Sequence, residues 1–479
     1  MQKFSPAHWG AKMKTRYTAR RRAAGLVAVA GVLALTACGS GDDTGIGGSD
    51  DRLVVWTVEA QEPRIAVQRE IAKAFTEQTG VEVELVPVEE GQATQLIQSA
   101  ALSGELPDVI SLLNLGFVRQ LDTEGLVDTE ANARVIEALG EDTFAPAALE
   151  LSRDGDVQVG VPSDAWSQIL VYRTDLFEAA GLEPPTTYDA LAAAAGALTT
   201  DGQFGITLAT DASDIFTSQT FETLALGNGC QLVDDGEPVL DSPECLATWE
   251  LYQTLSTQYS PAGTQSVDST RATYFAGQSA MVLWSTFLLD ELAGLRNDAL
   301  PTCPECLDDP GFLAANSGVI TSIAGPDTDE PGSYGEVQNF AVMDEANTDA
   351  AEQYIEFVMS DGYEDWMKQA PEGKIPVRAG DADDPQRFST AWNSLEMGVD
   401  AKATMADVFG PEVVEAVASA PTTLDRWAIT SGDGALLGPV STQMPIPKAI
   451  SDLAAGALDA QGAAEQASRA VADIAAGMS

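Results

Sequence analysis

Residues 53–58 (LVVWTV) form an unbroken β-rich run, the pattern of a strand buried on both faces. Pro63 then opens a helical stretch to Thr79, with Ile65, Ile71, Ala74 and Phe75 on one side and Gly80 placed to end it. Val81, Val83 and Leu85 alternate with Glu82 and Glu84, a second strand. Gln92 to Ser103 carries Leu96, Ile97, Ala100 and Ala101 at helical spacing before Gly104, and Leu106 to Ile110 begins a third strand. This β-α-β-α-β order predicts an α/β protein built on a parallel sheet with right-handed crossovers. Ligands of such sheets bind beyond the carboxyl ends of the strands. Further on, Val157 to Tyr172 is strand-like with a Pro-Ser-Asp interruption. Ala- and Leu-rich helical stretches follow, such as Tyr188–Leu198 and Cys245–Leu255. A shorter α/β piece returns near Gly335–Ser360, and Ile446 to Met478 reads as helical, with Ala467, Ala470, Val471 and Ile474 in one stripe.

Charge narrows the chemistry. The 479 residues include 73 acidic and 25 basic side chains and one histidine, a net charge of −48. Lys3, Lys12, Lys14, Arg16, Arg20, Arg21 and Arg22 lie in residues 1–37, which hold no acid. A chain without that segment would set 18 basic residues against 73 acidic ones, a net of −55. Such a field repels phosphate backbones and argues against nucleic-acid binding. His8 lies in the same segment, so the remainder has no histidine for a Ser-His-Asp triad, a His-zinc site or a pH switch. The acidity suggests a salt-rich habitat, although a simply solvated acidic surface explains it equally.

The basic start, the apolar run from Ala23 to Leu35 and Leu35-Thr36-Ala37-Cys38 predict a lipoprotein signal peptide over 1–37. The motif resembles a bacterial lipobox, with Cys38 acylated. The apolar run is too short for the ~20 residues of a membrane span, and Arg20-Arg21-Arg22 leaves the general secretory and twin-arginine routes both open. Residues 38–51 form a flexible Gly/Ser/Asp tether, with a reach of roughly 20 Å. Cys230, Cys245, Cys303 and Cys306 remain, and in an exported chain an even set reads as disulfides with three possible connectivities. Cys230–Cys245 and Cys303–Cys306 are the expected pairs. A zinc site at Cys303-Pro304-Glu305-Cys306 would need a second close pair, and a redox site a thioredoxin-like unit; neither is visible, so no metal or cofactor is expected.

Five stretches occur in an order similar to the extracellular solute-binding proteins of ABC importers, in the sugar-binding family that includes maltose-binding protein. They are Leu53–Trp56 with Gly80–Val83; Leu102–Val109 around Pro107-Asp108; Gly160-Val161-Pro162 through Tyr172, Asp175, Gly181 and Pro185 to Leu191; Phe275–Met281; and Asn347–Ser360 with Gly373–Arg378. The resemblance implies a two-lobed periplasmic-binding-protein-like fold with crossing hinge segments. One lobe would span 51–165 plus 338–378, the other, helix-rich, 166–337 plus 379–479. It implies a monomer that is lipid-anchored on the extracytoplasmic face of the cell membrane. There it would capture a sugar or oligosaccharide between closing lobes and deliver it to the permease subunits, with no catalysis.

Sugar recognition needs flat apolar faces and directional polar groups. Trp249 and Trp366 sit inside helical patterns and read as core. The resemblance points to Trp56 at the end of the first strand and Trp284 after Ala280-Met281. Trp166 lies at the first crossover, and Trp427 is expected late in a helix. Polar candidates are Glu59, Asn114 and Asp164 at strand ends or the crossover, with Asn316 and Tyr334 after them. Two other readings keep part of this pattern: a polyamine or other cationic solute in the same fold, favoured by the acidity, and a carboxylate-dependent glycosidase, which needs no histidine but for which no convincing acid pair is apparent.

Overall fold

A computed structural model describes residues 52–478. The signal segment 1–37, the lipidation candidate Cys38 and the tether to residue 51 lie outside the described residues. The first five elements are β1 (Arg52–Thr57), α1 (Glu62–Thr79), β2 (Glu82–Pro87), α2 (Glu90–Ser103) and β3 (Val109–Leu113). Strand β1 pairs in parallel with both β2 and β3. Gly80 ends α1 at φ 84°, the left-handed conformation that lacks a steric penalty only for glycine. Strand β3 starts later than the apolar pattern suggests, because Asp108 serves as a staple. Its carboxylate accepts the Val54 amide at 2.7 Å and the Asn347 amide at 2.8 Å. The unbroken apolar run fits β3, buried throughout, better than β1, where buried and half-buried positions alternate.

The remaining sheet strands are β4 (Val161–Arg173), β5 (Met281–Ser285), β6 (Ser317–Ile320), β7 (Ser333–Val342), β8 (Ile375–Pro376) and β9 (Leu424–Asp425). The sheet runs β6-β4-β7-β3-β1-β2, with β5 and β8 also on β4 and β9 on β7. Strand β4 is continuous; the expected interruption is a bulge. Gln338 pairs with Asp164 and Asn339 with Pro162, which leaves Ser163 unpaired opposite β7. A bulge accommodates the missing proline amide and re-aims neighbouring side chains. The first half of β4 pairs with β7, and the second half with β5 and β6. Strand β7 in turn touches β9 at its start and β3 at its end. Two long strands thus join the β1–β3 region to the β5–β6 region.

Helices around this sheet include α1, α2, α3 (Leu115–Thr123), α4 (Tyr188–Leu198), α5 (Ile215–Leu226), α6 (Pro243–Thr254), α7 (Val267–Phe275), α8 (Thr348–Val358) and α9 (Leu437–Gln443). The C-terminal stripe divides into α10 (Pro445–Ala454) and α11 (Ala460–Met478), parted near Gly456 at φ 71°. Ala467, Val471 and Ile474 of α11 are buried, as their spacing predicts. Trp249 and Trp366 are core residues. Cys230 is bonded to Cys245 and Cys303 to Cys306.

Candidate functional site

A cavity of about 800 Å³ lies against the paired strands β4 and β7, beyond the carboxyl end of β1. Seven of the nine expected residues line it: Glu59, Asn114, Asp164, Trp166, Trp284, Tyr334 and Trp427. Trp56 and Asn316 do not. Trp56 turns aside from the cavity, half-buried against a small apolar cluster that includes Ile97, Ile110 and Val118. The asparagine ends the short helix Phe312–Ala315, where its Nδ2 donates to the Phe312 carbonyl at 2.8 Å.

The aromatic residues differ in what they offer. Trp166 is half-buried, with its ring 6.0 Å from Tyr334 and 6.4 Å from Phe287. Phe287 and Phe117 are also partly open. Trp284 is more enclosed. Its Nε1 donates to the Val267 carbonyl at 3.2 Å, and Arg271 lies over its ring at 5.9 Å. Tyr334 and Trp427 are 1% exposed and act as wall. Trp427 sits in a turn after β9 rather than in a helix, its Nε1 donating to the Cys230 carbonyl at 2.8 Å.

Most charges in the cavity have internal partners. Glu59 accepts the Ala60 and Gln61 amides at 2.9 and 2.8 Å and faces Arg64 at 3.3 Å. Asn114 caps α3 by accepting the Phe117 amide. Asp164, beside the Ser163 bulge, accepts from Trp366 Nε1 at 2.6 Å and faces Lys374 at 3.4 Å. Burial holds the Lys374 ammonium below its usual pKa, with Asp164 opposing. On the other side, Arg426 bonds Glu222 of α5 at 3.1 Å and Glu336 of β7, and its guanidinium covers the Tyr334 ring at 4.7 Å. Glu336 also accepts the Leu115 amide at 2.6 Å, and Glu222 the Trp427 amide at 3.0 Å. Burial pushes the Glu222 carboxyl up against the pull of Arg426. Burial works against the Arg426 charge, yet Glu336, Tyr334 and Glu222 keep its pKa well above the usual range.

Sequence reasoning missed Arg64, Lys374, Arg426, Glu222, Glu336 and Phe287, all of which line the cavity. One signal was available: basic residues are scarce, and Lys374 is one of five lysines beyond residue 37. Among the described residues no group of His, Cys, Asp and Glu could hold a metal ion, and no helix is long and apolar enough to cross a membrane.

Two long paired strands shared by both halves of the sheet thus carry an aromatic-walled cleft. Residues 70–420 match the bacterial extracellular solute-binding proteins, and the chain belongs to that family. It is 29% identical over 326 residues to YcjN of Escherichia coli (strain K12), provisionally named an ABC transporter periplasmic-binding protein, covering 66% of this chain and 70% of that one. Two solved structures share the fold at 18% identity. The cyclic alpha-maltosyl-1,6-maltose binding protein of Arthrobacter globiformis aligns with TM-score 0.68 over 89% of this chain and 99% of its own. The GacH receptor of Streptomyces glaucescens, solved unliganded and with acarbose, aligns with TM-score 0.64 over 88% and 98%. The fold is thus the two-lobed α/β architecture of periplasmic binding proteins, with β4 and β7 as its crossing segments.

Proposed function

We propose that this protein is the solute-binding component of an ABC importer, and that it takes a sugar or oligosaccharide between its lobes for delivery to the permease subunits. The observation that carries this reading is the cleft itself: Trp166 and Phe287 offer flat apolar faces beside fixed polar groups such as Asp164 and Glu59. The names of YcjN, the Arthrobacter protein and GacH support it. The lobes are 51–165 plus 338–378 and 166–337 plus 379–479, so that Asp164 and Trp166 flank the first crossing. Acylated Cys38 anchors a monomer to the outer face of the cell membrane, and the two disulfides staple its loops. The protein binds without turnover: the buried cavity carboxylates Glu59, Asp164, Glu222 and Glu336 are each held by an N–H donor or a cation, so none of these four is free to act as acid or base on a glycosidic bond.

A second ligand class has its own support. Seven acids line the cavity (Glu59, Glu89, Glu90, Asp164, Asp214, Glu222, Glu336) against Arg64, Lys374 and Arg426, a balance suited to a cationic solute. A thermal-shift screen of sugars, polyols and polyamines decides, because a ligand that binds only the folded state raises its apparent stability. A shift with sugars is expected. A shift with spermidine alone would replace the carbohydrate reading, and hydrolysis of a bound glycoside would replace the binding-protein reading.

A further inference from the structure

Phe287 and Gly373 meet in the cleft wall, and behind them lie two carboxyl groups outside the cavity lining. Asp290 belongs to the short helix Leu288–Leu292, and Glu372 to the loop that leads into β8. Each is 2% exposed. The wall is tight here: a Cβ on Gly373 would lie 1.9 Å from the Phe287 ring. Asp290 Oδ1 and Glu372 Oε2 have no hydrogen-bond partner among the described residues.

The charged groups facing the pair are Arg64 from α1, Arg296 beyond the short helix and Glu291 beside Asp290. Each has another partner. Arg64 faces Glu59 at 3.3 Å, Arg296 bonds Asp298 at 2.9 Å and stands 4.0 Å from Asp290, and Glu291 is held by Arg271 at 2.9 Å. Two buried carboxylates left so poorly compensated oppose each other's ionisation, and protonating one also supplies the hydrogen-bond donor the cluster lacks. Burial, with the Asp290 charge adding to it, raises Glu372 to about 8. Burial raises Asp290 to about 6.

We propose that Asp290 and Glu372 together hold one proton behind the cleft wall, and that its release to solvent loosens the Phe287–Gly373 contact, so that solute capture is coupled to proton uptake. This rests on the closing-lobe reading above, in which Asp290 and Glu372 belong to opposite lobes. In an opened cleft both carboxyls meet water and titrate in the ordinary carboxylate range; closure raises their proton affinity. The closed form therefore binds more protons between that range and the raised values. It is favoured at the acid end of this window, loses ground as pH rises through it, and changes no further above it.

The test needs no ligand, so it stands whether or not a sugar binds. Infrared titration of the full-length protein in detergent should show a protonated buried carboxyl at pH 7 that disappears toward pH 9 and is absent from Glu372→Gln. Small-angle scattering should show the radius of gyration rising over the same interval in the native protein and staying constant in the variant. Asp290→Asn, which removes the opposing charge but leaves Glu372 buried, should move the pH response of the radius to lower pH, and it serves if Glu372→Gln fails to fold. Absence of the carboxyl signal, or a pH response that persists in Glu372→Gln or stays in place in Asp290→Asn, overturns the proposal. With a solute identified by the screen, affinity should fall by at most about tenfold per pH unit, the limit for one proton.

Discussion

Trp166 and Trp427 both line the cleft, yet they answer to substitution differently. Trp166 keeps an open face, so Trp166→Ala should weaken solute binding by about 1 kcal/mol or more, roughly a fivefold rise in Kd, with little change in melting temperature. Trp427 is 1% exposed, and its ring lies 6.1 Å from that of Phe221. Trp427→Ala should instead cost about 3–5 kcal/mol of stability, seen in denaturant melts before any titration. Glu59 and Asn114 were legible because a strand's carboxyl end is a position that local pattern marks. Trp56 was misplaced because alternation along β1 tells buried from half-buried but not which neighbour covers the half-buried side. Arg64, Lys374 and Arg426 escaped notice because nothing local says which cation in an acidic chain will be folded inward.

Elements meet most consequentially at Arg426, where α5, β7 and the start of α3 share one charge cluster. Removing one member leaves the others buried and uncompensated, which is costlier than never having built the cluster. Arg426→Met should therefore destabilise by about 3–5 kcal/mol, measured by urea unfolding. Combining it with Glu222→Gln and Glu336→Gln should recover part of that loss. A triple variant no better than the single one would mean that the cluster acts through packing rather than charge. The β-α-β-α-β opening could be read from sequence because each of its elements is defined by its own periodicity. The bulge at Ser163 could not: Pro162 looks like a break until β7, far along the chain, arrives to pair around it.

For the molecule as a whole, the acid excess predicts a stability that grows with salt. Self-repulsion at a net of −48 is screened as the Debye length shrinks from about 30 Å at 0.01 M to about 3 Å at 1 M. The melting temperature should rise over that range, and a flat profile would show the acids to be well paired. Opening the Cys230–Cys245 bridge with Cys245→Ser should cost about 3 kcal/mol on the chain-entropy account of a loop that size, with a matching fall in melting temperature under non-reducing conditions. The two-lobed plan came from the order of five motifs rather than from periodicity, since no local pattern reports that Ser167 will pair with Gly335. That pairing carries a consequence for how the protein comes into being. A chain made from its N-terminus has β1, β2, β3 and β4 long before β7 exists, and β4 and β3 both need β7 as a neighbour. Closing so long a loop is entropically unfavourable until the strand contacts repay it, which makes folding slow. A nascent chain stopped before Ser333 is therefore left with an unfinished sheet, and completion waits on the last third of synthesis.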